Sequence, residues 1–516
     1  MGCGVRGVIL DADVILTPIS SSPPQGPDDA VRLPPLADRL LRRLSLSGIR
    51  TGIALRSDSP SRVVELLMNL AASHSMECFG LNSWSAEDII CEIQKSWGEG
   101  GGEIIYVASE SSKRMMIELA SHGWVVVDLV SEMTDSNKSG SSNLISINSL
   151  LQLPSIICGI IKKTTSLDIL VVGYIMKPSR EEDFAKRGAF PMHPTPNGLI
   201  FMPLSFELPL HSQLNEVDVV LHKATDEIVS LNLSTLSEVS VRVNYSKGMQ
   251  EVKSYLEHHR QVCVIDPLDK VYPIVDRLEI QKLLSDLKDP DGEGKHKIRG
   301  PNFFQVDNFD DDVILTAKGK FPFPCIVKPQ VACGVADAHS MGIAFEVDNL
   351  MGLRVPLPAI VQEYVDHFST LYKFYVLGEK VFHAAKRSMP NGTTLRKLSE
   401  SKGLKPLLFD SLKSLPTVTG VEIDLPGNGS IPKANSEVLD FDLVTRTAKW
   451  LSDRLSLTIF GFDVVVQEGT LDHVIVDINY LPSFKEVPDD IAVPAFWNAI
   501  RKKYDLSRTQ EGSGAC

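Results

Sequence analysis

The sequence predicts an α/β protein in which a parallel sheet is followed by a largely antiparallel one. Three observations carry that expectation. Short apolar runs alternate with amphipathic stretches before Met133. A polar, Ser-rich stretch, MTDSNKSGSSN (Met133 to Asn143), then breaks every apolar period. Towards the C-terminus, Val-rich runs follow one another across short turns. Strands that alternate with helices need crossovers, and so a parallel sheet covered on both faces. Alternating runs joined by short turns are the mark of antiparallel pairing.

In chain order, VRGVILDADVIL, IRTGIALRS, GEIIYVAS and GWVVVDLV are the strands of the first sheet, and SRVVELLMNLAA and SKRMMIELASHG carry helical spacing. LDILVVGYIM opens a second series, in which SFELPL, VDVVLHK and QVCVIDP read as strand ends. FPFPCIVKP, AIVQEYVDHFSTLYKFYVLG, EKVFHAAKRS, FGFDVVVQ and DHVIVDIN supply the antiparallel strands. SDLKDPDGEGKHKIRG (Ser285 to Gly300) and NGTTLRKLSESKGL read as exposed loops.

The 516 residues are 43% hydrophobic, with mean hydropathy near zero, a globular composition with room for two to four domains. No apolar run is long enough to span a membrane. The start, MGCGVRGVIL, lacks the order of a secretory signal, and Arg6 stands where N-myristoylation needs Ser or Thr. Eight cysteines without a CxxC pair read as reduced thiols of a cytoplasmic or nuclear protein. A net charge of −13 argues against broad nucleic-acid binding but leaves room for a small anionic ligand in a local basic pocket. A monomer is expected.

The stretch FGFDVVVQEGTLDHVIVDIN reads as a strand, a turn at EGT and a returning strand. Ile475, Asp477 and Asn479 share one face, because side chains alternate along a strand. If Asp463 shares that face, it lies nearly opposite Asp477 across a connection centred on Thr470 with an odd number of residues. Bare carboxylates so close repel and raise a pKa. A divalent cation removes the conflict, and Mg²⁺ takes one or two carboxylates together with nucleotide phosphates. Asp477 can bridge two ions, with Asp463 on one and the Asn479 amide oxygen on the other. Solvent-facing edge residues are the bland alternative, which suits one Asp better than three oxygen ligands inside Val-rich strands.

PCIVKPQ delivers Lys328 from an apolar strand as a point charge suited to ATP phosphates. Read alone, it is equally a snorkelling lysine at a strand end. A metal hairpin preceded by such a lysine is the working arrangement of the ATP-grasp fold. AIVQEYVD would then connect its lobes, with backbone groups at Gln362, Glu363 and Tyr364 placed to pair with adenine.

From about Leu167 to about Tyr504 the chain resembles the inositol 1,3,4-trisphosphate 5/6-kinases, which have the ATP-grasp fold. The motifs are VGYIMKPSR, VVLHKATDEI, VIDPLDKVYPIVDR, CIVKPQVACGVADAHSMGIAF, IVQEYVDHFSTLYKFYVLG and the DVVV and VIVDIN hairpin, in the family's order. The pattern is closest to long plant-type members with an extra N-terminal domain. The resemblance implies a kinase using ATP as co-substrate and two Mg²⁺ ions. It would move the γ-phosphoryl group to a hydroxyl of an inositol tris- or tetrakisphosphate, with phosphate shuttling between isomers in some relatives.

Residue by residue, the resemblance implies that Arg180, with Lys177 as a nearby substitute, and Lys223 hold the inositol phosphate. Arg277 and Lys328 match ATP-binding positions, and Ser388 a nucleotide contact. Gln362 to Lys373, including Glu363 and Tyr364, match the nucleotide-binding connector, from which Lys373 also reaches substrate. His339 matches a substrate-binding His on a loop that Gly334 opens. Asp463, Asp477 and Asn479 match the metal ligands, with Asn479 also near substrate, and Lys328 and Asp477 are the implied catalytic residues. Two departures bear on regiochemistry: Cys333 stands where some members have His, and Ser483 stands at a substrate position that is commonly Gly. Without the motifs, His339 would read as a loop His, and Lys223 and Arg277 as surface charges at helix ends. His222 reads as packing, and His258 with His259 as a solvated helix face. Phosphoryl transfer rests on positioning and charge neutralisation, so no general base is required.

VILDADVILTP resembles the first motif of haloacid-dehalogenase-like phosphatases, with Asp11 as nucleophile and Asp13 as acid/base; Ser57 fits the second. The later Gly-Asp motif reads YVASESSKRM, with Ala108 and Ser109 in its place and Lys113 where an acid is wanted. No clear Lys stands in SWSAEDIICEIQ. A phosphatase without its metal carboxylates cannot readily bring a phosphate dianion to an aspartate. The expected α/β architecture is therefore a non-catalytic haloacid-dehalogenase-like Rossmannoid domain over 1–143, its end reaching as far as 166. It is fused to an ATP-grasp kinase over 167–505, with a flexible tail over 506–516.

Two other function classes stay open. A carboxylate–amine ligase would share the lysine, connector and metal hairpin, but has no need of the cations in VGYIMKPSR and LHKATD. A non-enzymatic inositol-phosphate binder would not need Lys328, Asp463, Asp477 and Asn479 intact.

Overall fold

The computed structural model describes the chain except residues 1–3, 19–30, 82–84, 99, 110–112, 131–142, 167, 234–242, 288–296, 311–320, 404–405, 414, 417–437 and 514–516. The expected break at Met133–Asn143, but for its last residue, and the expected domain start at Leu167 lie outside the described residues. The chain divides into two compact units, Met1–Leu221 with Gln261–Cys263, and His222–Arg260 with Val264–Cys516.

The first unit opens with a six-stranded sheet in the order Glu77–Leu81, Arg50–Arg56, Val5–Asp11, Glu103–Ser109, Val125–Leu129, Leu144–Ile147, parallel at every pairing. The central strand is buried from Gly7 to Asp11, as expected where helices cover both faces. Helix Ala86–Trp97 shows how one is held. Ser85 caps it by accepting the Asp88 N–H, and Ile89, Ile93 and Trp97 recur every fourth residue on its buried side. Gly7 is needed there, since a Cβ would fall 2.2 Å from the Trp97 ring.

A second sheet runs Leu199–Pro203, Leu170–Ile175, Val219–His222, Cys263–Ile265. The stretch SFELPL is not a strand end: the chain turns after Pro203, and Pro209 starts the short helix Leu210–Leu214.

The second unit contains two five-stranded sheets. In one, Phe303–Val306, Ala359–Glu363, Cys325–Pro329, Ser340–Ala344 and Leu407–Asp410 pair antiparallel throughout. In the other, the order is Ile298–Arg299, His473–Tyr480, Ile459–Val466, Thr370–Leu377, Lys380–Arg387, with only the first pair parallel. Phe374, Phe460 and Phe462 are fully buried beneath it, Phe374 stacked on Phe462 at 5.2 Å.

Three expectations are corrected. NGTTLRKLSESKGL is helical over Gly392–Ser401, because Leu395 and Leu398, three residues apart, bury one face. The end of Ser285–Gly300 is not exposed loop: Ile298–Arg299 is a strand and Ile298 is buried. The tail from 506 continues helix Asp489–Ser513, where no Pro or Gly intervenes from Arg501 to Gln510 and Arg501 pairs with Asp505 one turn on.

Candidate active site

Strands Ile459–Val466 and His473–Tyr480 bring Asp463 directly opposite Asp477. The odd-numbered connection is corrected. The register slips by one after Asp463, Val464 faces Ile475, and the ladder closes at Val466 and His473, so residues 467–472 connect the strands. Val476 is the extra residue of this β-bulge, which bends the ribbon beside the two carboxylates. Past the bulge, Asp477 and Asn479 lie two apart on one face, and Asn479 is opposite Gly461.

Two lysines come from elements on either side. The neighbouring strand sets Lys373 across from Asp463, with Nζ 3.9 Å from Oδ2. From the other sheet, buried Lys328 donates to the Val476 carbonyl at 3.1 Å. Burial pushes the Asp463 carboxyl up to about 6; Lys373 and Lys328 oppose the rise, and Asp477 adds to it. Burial also draws the Lys328 ammonium down to about 8, with Asp477 and Asp463 holding it up and Arg277 pressing it lower. The cluster interleaves like charges with opposite ones, Lys328 buried and Asp463, Asp477 and Lys373 partly so.

Arg277 is not the surface charge of its bland reading. It is 3% exposed and donates to the carbonyls of Pro329 at 2.6 Å, Val331 at 3.0 Å, Ala338 at 3.2 Å and Ala332 at 3.4 Å. It therefore braces the loop that leads to His339. That imidazole is half-buried, meets the Ser411 hydroxyl at 3.2 Å, and is shifted down by burial and by Arg277. Gly334 has φ +88°, and a Cβ there would meet Ile228 at 2.6 Å, so the close approach it permits is to the protein itself. Lys223 is also buried: its Nζ donates to the Tyr480 carbonyl, one residue beyond Asn479, and lies 5.2 Å over the Tyr480 ring. His222 is fully buried, consistent with a packing role. Ser483 is partly buried after Pro482, which packs against Gly461.

The connector differs from expectation in one respect. The Glu363 N–H donates to the Asn302 carbonyl at 2.9 Å and the Tyr364 N–H to that of Pro324 at 3.2 Å, so these two donors are committed inside the protein rather than held for adenine. The Glu363 carboxylate is bound by Arg299 and by the Asn302 amide at 2.9 Å. Gln362 keeps an acceptor: its Oε1 is buried with no hydrogen-bond partner among the described residues. His367 contacts the Val365 carbonyl through Nδ1 at 2.6 Å and the Ser388 hydroxyl through Nε2 at 2.8 Å, which places Ser388 at the connector. Arg299, Asn302 and Ser411 are supporting residues that pattern reading missed. Each is a lone polar residue whose partner is distant in sequence.

Lys177 and Arg180 lie in the first unit, before and within helix Pro178–Lys186; Lys177 is exposed and Arg180 partly so. In the N-terminal domain, Asp11 is buried at the end of its strand, Asp13 is exposed, and Ser57 is exposed with its N–H on the Leu81 carbonyl at 3.0 Å. Among the described residues no three His, Cys, Asp or Glu side chains group to hold a metal ion, so the candidate ligands are two carboxylates and an amide.

Residues 1–163 match the family model "ITPK4, N-terminal HAD-like domain", and 293–496 match "Inositol 1,3,4-trisphosphate 5/6-kinase ATP-grasp domain". The chain is 45% identical over 513 residues to inositol-tetrakisphosphate 1-kinase 6 of Oryza sativa subsp. japonica, an alignment covering 99% of this chain and 91% of that protein. The chain belongs to the inositol 1,3,4-trisphosphate 5/6-kinase family. As a member it is an inositol-phosphate kinase of the ATP-grasp fold, preceded by a haloacid-dehalogenase-like domain. More distant relatives match a smaller share of the chain. Inositol-tetrakisphosphate 1-kinase 1 of Arabidopsis thaliana is 25% identical, covering 64% of this chain and 96% of that one. Inositol-tetrakisphosphate 1-kinase of Danio rerio is 27% identical, covering 57% and 69%. Among the described residues no helix is long and apolar enough to cross a membrane.

Proposed function

We propose that this kinase transfers the γ-phosphoryl group of ATP to a hydroxyl of an inositol tris- or tetrakisphosphate, with two Mg²⁺ ions held by Asp463, Asp477 and Asn479. The observation that carries this reading is the cross-strand pair of Asp463 and Asp477 between Lys328 and Lys373. The donor set fits Mg²⁺, which takes hard oxygens and one or two carboxylates, and Asp477, directly opposite, adds to the rise of the Asp463 carboxyl. When bound, Mg²⁺ supplies neutralisation of the phosphate oxygens.

The chain's own residues do the rest by position. Lys328 presents an ammonium from a rigid strand, and its carbonyl contact at Val476 holds it beside the hairpin. Arg277 keeps the following loop in place through four backbone carbonyls, which extends its expected ATP role to shaping the loop. His339, shifted towards the neutral form, offers a hydrogen bond to a substrate phosphate rather than a full charge, whereas Lys223 and Lys373 offer charge. Gln362 and Ser388 contact the nucleotide, and Ser483 bounds the substrate side. Lys177 and Arg180 keep the phosphate-binding role that the resemblance implies. The N-terminal domain is non-catalytic in this reading, with Asp11 poorly suited to act as an anionic nucleophile.

The test is ADP release by the full chain with a panel of inositol phosphates, products resolved by NMR. ADP formation that depends on an inositol phosphate is expected. ADP formation that instead requires a carboxylate and an amine would replace this reading with the ligase.

A further inference from the structure

The N-terminal domain and the segment carrying Lys177 and Arg180 belong to one compact unit, and helix Pro35–Leu46 is where they meet. Arg39, Arg42 and Arg43, spaced three and four residues apart, share one side of that helix. Arg39 pairs with Glu207 at 2.8 Å and Arg42 with Glu182 at 3.5 Å, both in solvent. The third pair is different. Arg43 grips Glu181 with two prongs, Nε to Oε1 at 2.6 Å and Nη2 to Oε2 at 3.0 Å, with only 12% and 9% of the two side chains exposed.

The surroundings make this a built joint. The buried Tyr174 hydroxyl donates to the same Glu181 Oε1 at 2.9 Å. Tyr174 stacks on Phe190 at 4.3 Å, and Phe190 on Phe184 of helix Pro178–Lys186 at 5.3 Å. Just beyond Arg43, at the C-terminal end of the same helix, the Ser47 carbonyl accepts the Met192 N–H at 2.9 Å, and Gly48 admits the His193 ring where a Cβ would lie 2.5 Å from it. A cleft of about 380 Å³ runs along the seam, and its three arginines are each matched by a carboxylate, which marks a joint rather than a site for a further anion.

Glu181 follows Arg180 on a helix of nine residues that has no side-chain cap. Neighbouring residues on a helix point about 100° apart, so anchoring Glu181 sets where Arg180 is directed. An arginine–carboxylate fork is directional as well as strong. We propose that Arg43 of the haloacid-dehalogenase-like domain is a positioning residue for inositol-phosphate binding, setting the rotation of helix Pro178–Lys186 through Glu181. The inference rests on the substrate role given to Arg180 above. It gives the N-terminal domain a task that needs its helix and not its D-x-D motif.

The experiment measures KM for inositol 1,3,4-trisphosphate and for ATP, together with thermal unfolding, in full-length Arg43→Ala, Arg43→Lys, Arg180→Ala and the swap Arg43→Glu with Glu181→Arg. Arg43→Ala should raise KM for the inositol phosphate about tenfold, as a misdirected binding group does, and leave KM for ATP within about twofold. Arg43→Lys, which keeps charge but loses the fork, should fall between, and the swap should recover part of the loss. A wild-type KM for the inositol phosphate in folded Arg43→Ala, beside a raised one in Arg180→Ala, overturns the inference alone. A wild-type KM in Arg180→Ala overturns the substrate reading of this helix and the inference with it. Should Arg43→Ala fail to fold, a wild-type KM in Arg43→Lys overturns the inference.

Discussion

Each unit carries two aspartates where a strand sequence suggests chemistry, and the two pairs fare differently. Asp11 is 1% exposed, and burial drives its carboxyl up to about 7, with the Asp13 N–H at 3.1 Å and Arg56 opposing the rise. Its Oδ2 has no hydrogen-bond partner among the described residues, and Asp13 faces solvent. Asp463 is also raised by burial, to about 6, yet Lys373 and Lys328 counter it and Asp477 faces it across the ribbon. Burial alone neutralises a carboxylate. Fixed cations, a metal or several hydrogen-bond donors are needed to make a buried carboxylate usable as an anion.

The largest expected contrast is in turnover. Asp477→Ala should lower kcat by about 10³-fold or more, with unfolding unchanged, whereas Asp11→Asn should leave kinase turnover within about twofold. ADP-release assays check both; equal losses would break the comparison. Next comes stability at Asp11. Its folded pKa of about 7 exceeds the ordinary 3.8, so the destabilisation is absent below 3.8 and grows as pH rises through 7. Roughly three units correspond to at most about 4 kcal/mol. Asp11→Asn should raise the melting temperature more at pH 8 than at pH 4, and an equal shift at both would remove the argument.

His222 offers the opposite sign. Burial lowers it from 6.5 to about 4, so its contribution is present above 6.5 and is lost as pH falls towards 4. About 2 kcal/mol should disappear between pH 6.5 and 5, and His222→Gln should flatten that limb in urea titrations. The smallest effect concerns Lys373. Lys373→Ala should weaken inositol-phosphate binding about tenfold by calorimetry, worth about 1.4 kcal/mol. Unchanged binding would confine Lys373 to its contact with Asp463.

Pattern reading served best where one local rule applied. The parallel sheet was legible because Val5–Asp11, Arg50–Arg56 and Glu103–Ser109 are apolar runs separated by helical spacing. That Asp477 and Asn479 share a face was legible from alternation, but Asp463 meets Asp477 only because the bulge at Val476 lies between that pair and the turn. Helix Gly392–Ser401 was missed because its Ser, Thr and Gly content outweighed two leucines in the reading. The committed N–H groups of Glu363 and Tyr364, the bond from Arg299 to Glu363 and the joint from Arg43 to Glu181 had no local signature.

Residue order therefore settled most of the strands, the family motifs and which side chains could serve as ligands, because alternation and helical spacing act over a few neighbours. Folding in three dimensions decided which of those groups are charged, which are already hydrogen-bonded and which helix braces which. Burial and ion pairing depend on residues brought together from far along the chain, and no short stretch contains both partners.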